Sequence, residues 1–278
     1  MVGYIDVGGG MRAVFGAGVL DFCIDNNIGF HYYIGVSAGS ANIISFLGGH
    51  RGRTLRFYRD YSGRPEYMGV RNFIKTKSFL NLDYVYTTLT NDGGEDPLNF
   101  DVAKSKTCKF YTVATNANSG EAVYFDFDNV ERNNHYELKA SCCIPIVNRV
   151  FEYDGVEYYD GGIVDPVPIQ KALDDGCEKV VVTLTRSLNY RKEHRFSQKT
   201  ANLFLKKHPK SAELLYNSVE KYNSDIEKLI ELEKTGKVLI LYPDDCCGVN
   251  TLKRSVKTTT ALYNKGYENA QKIVEFLK

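Results

Sequence analysis

Gly35-Val36-Ser37-Ala38-Gly39 is a GxSxG pattern that stands where an apolar run ends and a small-residue stretch begins. A serine on so tight a strand-to-helix turn presents its hydroxyl for attack on a carbonyl, and glycines at 35 and 39 remove side chains that would crowd the turn. The plainer alternative is an ordinary βα turn of small residues. Gly8-Gly9-Gly10-Met11-Arg12-Ala13 forms a second junction of this kind. Taken as a dinucleotide fingerprint it lacks its acid, because Gly35 and Ser37 stand at the end of the second strand where a ribose-binding carboxylate belongs. Backbone N–H groups of Gly9, Gly10 and Met11 at a helix start are suited instead to an oxyanion hole, facing the negative charge of an acyl-transfer intermediate. A third reading gives these glycines only a packing task between helix and sheet.

A nucleophilic serine needs a base, and the histidines offer no clear one. His31 opens a strand far from Ser37, His50 lies beyond the turn, His135 sits in polar ERNNHYE, and His194 and His208 lie in basic stretches. Each reads as a solvated surface side chain. Asp160-Gly161-Gly162 follows an apolar-aromatic run, and its glycines let the aspartate approach another backbone, although Asp-Gly-Gly alone is a common turn. No His, Asp and Glu cluster has metal-ligand spacing, and Cys142-Cys143 and Cys246-Cys247 are adjacent where zinc sites space their cysteines by about two to four residues. Neither a metal nor another cofactor is expected. Seven cysteines in a chain of 278 residues read as reduced thiols, since a core of this size needs no disulfide framework.

The elements that must position these groups follow from hydrophobic period. Short apolar runs alternate with amphipathic stretches through the first third, as βα units feeding a mainly parallel sheet do. Strands are predicted at 2–7, 32–36, 109–116, 122–127, 179–184 and 237–242, and at 149–159 around an Asp154-Gly155 hairpin turn. Helices are predicted at 11–26, from Ser37 through Leu47, and at 54–61, 168–175, 211–234 and 255–277. Residues 62–100 and 189–209 have the weakest patterning and read as loops or insertions within one domain over 1–278.

Composition limits the function classes. Apolar residues at 43% and charged residues at 25% are ordinary globular usage. A formal net charge of +1 is not the cationic field of a nucleic-acid binder. Apolar runs fall far short of the roughly 20 residues that span a bilayer, and the N-terminus lacks a signal-peptide pattern, so the expected location is the cytoplasm.

In order and spacing, the glycine run at 8–12, GxSxG around Ser37 and Asp160-Gly161-Gly162 together resemble the patatin-like phospholipase family, plant storage acyl hydrolases and their bacterial relatives. Ala140-Ser141-Cys142-Cys143-Ile144-Pro145 is similar to that family's ASxAxP, and Val113-Ala114-Thr115-Asn116 through Gly120-Glu121 to its ATxxxTGE. The resemblance implies a three-layer α/β/α fold and a Ser-Asp dyad without histidine. By matching position it makes Ser37 the nucleophile, Asp160 the base and Gly9, Gly10 and Met11 the oxyanion donors, with Gly8, Arg12, Gly35, Gly39, Gly161 and Gly162 supporting them. It also implies lipid acyl esters as substrates, cleaved through an acyl-enzyme, and places Cys142-Cys143 beside the elbow, so thiol reagents are expected to slow the enzyme. Two departures, Ala13 for the usual glycine and Cys143 for the usual alanine, are small in volume. The competing readings are a non-catalytic binding or scaffold protein on the same fold, and a Ser-His-Asp esterase or protease.

From Arg186 to Lys210 the stretch holds eight Lys and Arg, among them Arg195, against Glu193 alone, interleaved with Phe196, Leu203 and Phe204. It is a candidate for peripheral contact with anionic membrane at the inner surface, against the simpler reading of a solvated loop. Arg51, Arg53, Arg56 and Arg59 form a second basic strip.

Overall fold

The computed structural model describes residues 1–194, 197–252 and 255–278. In chain order its strands are β1 (Val2–Asp6), β2 (Tyr32–Val36), β3 (Lys109–Asn116), β4 (Ala122–Asp126), β5 (Phe151–Tyr153), β6 (Val156–Asp160), β7 (Lys179–Thr183) and β8 (Val238–Leu241). They form one sheet in the order β5-β6-β3-β2-β1-β7-β8, with β4 also paired to β3. The four strand pairs from β3 through β8 are parallel, and β4, β5 and β6 add antiparallel pairings at one end.

Helices cover both faces. They are α1 (Val14–Asp25), α2 (Ala38–Leu47), α3 (Arg53–Arg59), α4 (Val70–Thr76), α5 (Phe100–Lys104), α6 (Tyr136–Ser141), α7 (Ile169–Asp174), α8 (Gln198–Phe204), α9 (Pro209–Lys234), α10 (Val256–Asn269) and α11 (Lys272–Phe276). Alternation along the central strands sorts the core into two layers. Tyr4, Tyr33 and Val181 face the side of α1, α2 and α10, whereas Ile5, Ile34, Val180 and Val182 face Ile169 of α7 and Ile226 and Leu229 of α9. This is the α/β/α architecture expected from the sequence. Among the described residues no helix is long and apolar enough to cross a membrane.

Several expectations need correction. The stretch 62–100 is not loop throughout: it holds α4 and a π-helical turn at Tyr84–Thr88, while 189–209 contains α8. The single helix expected over 255–277 is two, α10 and α11, divided at Ala270-Gln271. Helix α6 has no counterpart among the predicted elements.

Candidate functional site

Strand register brings Ser37 and Asp160 together. Val36, the last residue of β2, pairs with Val113 of β3, and the next residue of β3, Ala114, pairs with Asp160 at the end of β6. Because β4 occupies the other edge of β3 over these residues, β2 and β6 meet end to end along one edge. The residues that leave the two strands at that meeting point are the serine and the aspartate. Ser37 sits at φ 55° and ψ −131°, backbone that non-glycine residues adopt only under constraint. Two contacts hold it there. Its N–H donates to Ser141 Oγ at 2.8 Å, and its carbonyl accepts from the Ser40 N–H at 3.0 Å. Gly39 lets α2 descend onto β1, since a Cβ there would lie 2.2 Å from the Asp6 carbonyl oxygen.

Asp160 is fixed through its backbone, with its N–H on the Cys143 carbonyl at 2.9 Å and its own carbonyl accepting from Thr115 Oγ1 at 2.9 Å. Its buried carboxylate accepts from the Gly162 N–H at 2.7 Å, and Asp160 and Ser37 line the same open cleft. Burial pushes the Asp160 pKa up to about 6, against the smaller lowering by Ser37, Gly162 and the positive charge of Lys192. Gly35 lies beneath the Ser40 backbone, and Gly161 packs on the Val113 carbonyl.

The glycine run joins from the neighbouring strand. Gly8, Gly9 and Gly10 all have positive φ, at 65°, 117° and 64°, so the loop arches in a way side chains would oppose. Asp6 Oδ1 accepts from the Gly8 N–H at 3.0 Å, its Oδ2 accepts from Asn42 Nδ2 at 2.8 Å, and Tyr58 donates to Asn42 Oδ1 at 3.1 Å. This buried network ties the glycine loop to α2. Like Asp160, Asp6 is raised by burial to about 6. The Gly9 and Gly10 N–H groups have no acceptor among the described residues. Met11 differs from the expectation: its N–H is taken by the Thr251 carbonyl at 3.0 Å. Arg12 is buried and donates to Thr251 Oγ1 at 2.9 Å, while its Nε has no partner among the described residues. Burial and the adjacent Arg186 lower its pKa to about 10.

Two cavities meet at Ser37. One, a cavity of about 70 Å³, is walled mainly by apolar side chains, including Met11, Ile44, Phe57, Tyr86, Leu138 and Cys142. The other is an open cleft of about 480 Å³ reaching Asp160, the glycine loop, Arg12, Arg186 and Lys192. The site therefore joins an apolar hollow to a polar, cationic opening, as an ester with an acyl tail and a polar head requires.

The histidines divide differently from expectation. His135 and His208 are buried and not solvated, and His208 is held between Tyr159 and Glu157 Oε2, the latter at 2.9 Å. His194 alone among the five lines the open cleft, with Nε2 tied to Glu220 at 2.7 Å. Cys142 and Cys143 are also buried, and burial pushes the Cys142 thiol up to about 12, which disfavours the thiolate that thiol reagents require. The basic stretch is only partly a free surface. Arg191 pairs with Glu227, and Arg186 and Lys192 lie over the rings of Tyr190 and Tyr222; Arg195 and Phe196 lie outside the described residues. In the second strip, Arg53 and Arg56 both pair with Asp96. Among the described residues no cluster of three or more His, Cys, Asp and Glu is arranged to hold a metal.

Ser141, Asp6, Asn42 and Thr251 are the site neighbours to which the sequence assigned no task. Only Ser141 had a sequence signal, its place in the ASxAxP-like stretch.

Comparison with known proteins gives matches over most of the chain. Residues 7–173 match the family described as Patatin-like phospholipase, and residues 208–278 match a domain of unknown function, DUF6363. The uncharacterized protein YjjU of Escherichia coli (strain K12) is 28% identical over 183 residues, which cover 64% of this chain and 50% of YjjU. The chain thus spans about half the length of that relative. The crystal structure of VipD from Legionella pneumophila shares the fold, with a TM-score of 0.50 at 12% identity over 98% of this chain and 66% of VipD.

Proposed function

The chain belongs to the patatin-like phospholipase family, and on that premise we propose that it is a serine hydrolase of lipid acyl esters acting through Ser37 and Asp160. The observation that carries this reading is the convergence of Ser37 and the buried Asp160 at the ends of β2 and β6, where the apolar cavity meets the open cleft. In the reaction, Asp160 accepts the Ser37 proton as Oγ attacks the ester carbonyl. The developing oxyanion faces the free N–H groups of Gly9 and Gly10, with the N-terminus of α2 adding its positive dipole end. Collapse breaks the ester C–O bond, the leaving alkoxide takes the proton from Asp160, and the acyl group stays on Ser37. Water then gives its proton to Asp160 and attacks the acyl carbonyl; the acid departs and Ser37 Oγ recovers the proton.

The apolar cavity suits the acyl chain and the cationic cleft a polar head group. Contact with anionic membrane and a cytoplasmic setting belong to the same proposal. Ser37→Ala is expected to abolish both hydrolysis of a short-chain aryl ester and labelling by a fluorophosphonate, with the fold retained. Residual turnover above a few per cent would remove Ser37 from the role.

A further inference from the structure

We propose that α4 is a membrane-docking helix, which seats the mouth of the apolar cavity on an anionic lipid bilayer. The inference rests on the lipid-ester reading above and adds the surface on which that substrate is met. No residue of α4 is buried. Val70 is 67% exposed, Phe73 42% and Ile74 68%, and their spacing of three and four places them on one side of the helix. Around them stand Arg71, Lys75 and Lys77, all exposed, and Arg149 on the adjoining loop, whose backbone N–H donates to Ser78 Oγ at 3.1 Å. None of these four cations has an ion-pair partner among the described residues, and residues 67–81 contain no Asp or Glu. Exposed apolar side chains bordered by uncompensated positive charge match the boundary between anionic head groups and acyl chains.

The position of the helix identifies the bilayer as its occupant. Met68 and Leu80, on either side of α4, pair as an antiparallel bridge, and both line the apolar cavity that contains Ser37. The Gly69 N–H donates to the Phe79 carbonyl at 2.9 Å, and the Phe79 N–H donates to the carbonyl of Val147, which lines the open cleft. The helix therefore stands on a rim shared by both cavities. A lipid that leaves a bilayer beneath α4 enters the cavity past Met68 and Leu80 with little of its acyl chain crossing water. The basic stretch 186–194 is less suited to this task, because Arg191 and His194 are paired with Glu227 and Glu220.

The test uses the full chain carrying Ser37→Ala, so that binding is read without turnover, and vesicles of phosphatidylcholine with one third phosphatidylglycerol. Val70→Ser, Phe73→Ser and Ile74→Ser together are expected to lower vesicle partitioning about tenfold or more, and so is the set Arg71→Glu, Lys75→Glu and Lys77→Glu. In the Ser37 background, the triple-serine variant should keep its turnover of a soluble aryl ester and lose turnover of the same ester chemistry presented in vesicles. Binding that neither set alters would overturn the proposal. So would loss of binding only with Leu203→Ser and Phe204→Ser on α8, or apolar substitutions that change self-association in light scattering and leave vesicle binding intact. Absence of ester hydrolysis by the unmodified protein would sink the catalytic reading, while the binding measurement still decides the role of α4.

Discussion

In the proposed mechanism the Asp160 carboxyl couples activity and stability to pH with opposite signs. Its pKa, about 6, lies above the ordinary value of 3.8 because the charged form is buried. Well below pH 3.8 the acid is neutral in both folded and unfolded chains and costs nothing. As pH rises from about 3.8 to 6, the unfolded chain gives up its proton while the folded chain still holds it, so stability is lost, by about 3 kcal/mol once both are ionised. In the proposed mechanism activity needs the carboxylate and rises as pH passes through 6, where the loss of stability levels off. Asp160→Asn is therefore expected to lower turnover by orders of magnitude, while its melting temperature relative to the unmodified protein increases between pH 4 and pH 7.5. A melting difference that stays constant across that range would mean the carboxyl is not held as described. An acid limb near 6 coincides with that of an ordinary imidazole, so the pH profile alone does not distinguish carboxylate from histidine. Substitution of His194, the histidine on the cleft wall, makes the distinction, and it is expected to leave most of the activity. At this scale the sequence was informative where covalent spacing does the work, as in the glycine run and the elbow. It was silent where a partner arrives from a distant part of the chain, as Thr251 does at Met11 and Asn42 at Asp6.

Among the elements, the central strands and long helices were legible because each has one period and a buried side. The errors fall on short helices for which burial gives no such signal. Helix α4 buries no residue, and the π-helical turn at Tyr84–Thr88 departs from the period that sequence reading assumes. The division between α10 and α11 carries no proline, and Gly266 and Asn269 before it are only weak stop signals within the pattern of 255–277. Helices α1 and α10 show what a good pattern leaves unsaid. A Cβ at Gly18 would lie 2.0 Å from the Tyr263 carbonyl oxygen, and one at Gly266 would lie 2.0 Å from that of Phe15. The two backbones are therefore in reciprocal contact. Gly18→Leu or Gly266→Leu must force them apart and is expected to cost more than about 3 kcal/mol in urea unfolding, the range of severe overpacking. A cost below about 1 kcal/mol would show that the crossing yields.

Across the whole molecule, the segments 7–173 and 208–278 share one sheet and one core, since β8 is joined to β2 and β3 through β7 and β1 and α10 packs on α1. The chain is expected to unfold in a single transition whether followed by far-ultraviolet circular dichroism or by tyrosine fluorescence. A fragment ending at residue 207 is expected not to fold, because Leu262 and Tyr263 would no longer cover the α1 side of the core. Two separated transitions, or a folded fragment, would reverse that conclusion.

The Thr251 carbonyl on the Met11 N–H bears on how such a chain can be recombined. A strand and a helix from another family member can replace β8 and α10 if they bring suitable apolar residues, because packing tolerates substitutions that conserve volume. The loop between them is less interchangeable, since it must return a carbonyl oxygen to within 3.0 Å of one particular amide in the glycine run. A chimera that satisfies the core and misses this contact would fold with a third open donor beside Gly9 and Gly10. The C-terminal block thus closes one amide of the first loop, and segments 7–173 and 208–278 meet at the glycine run even where sequence matching divides them.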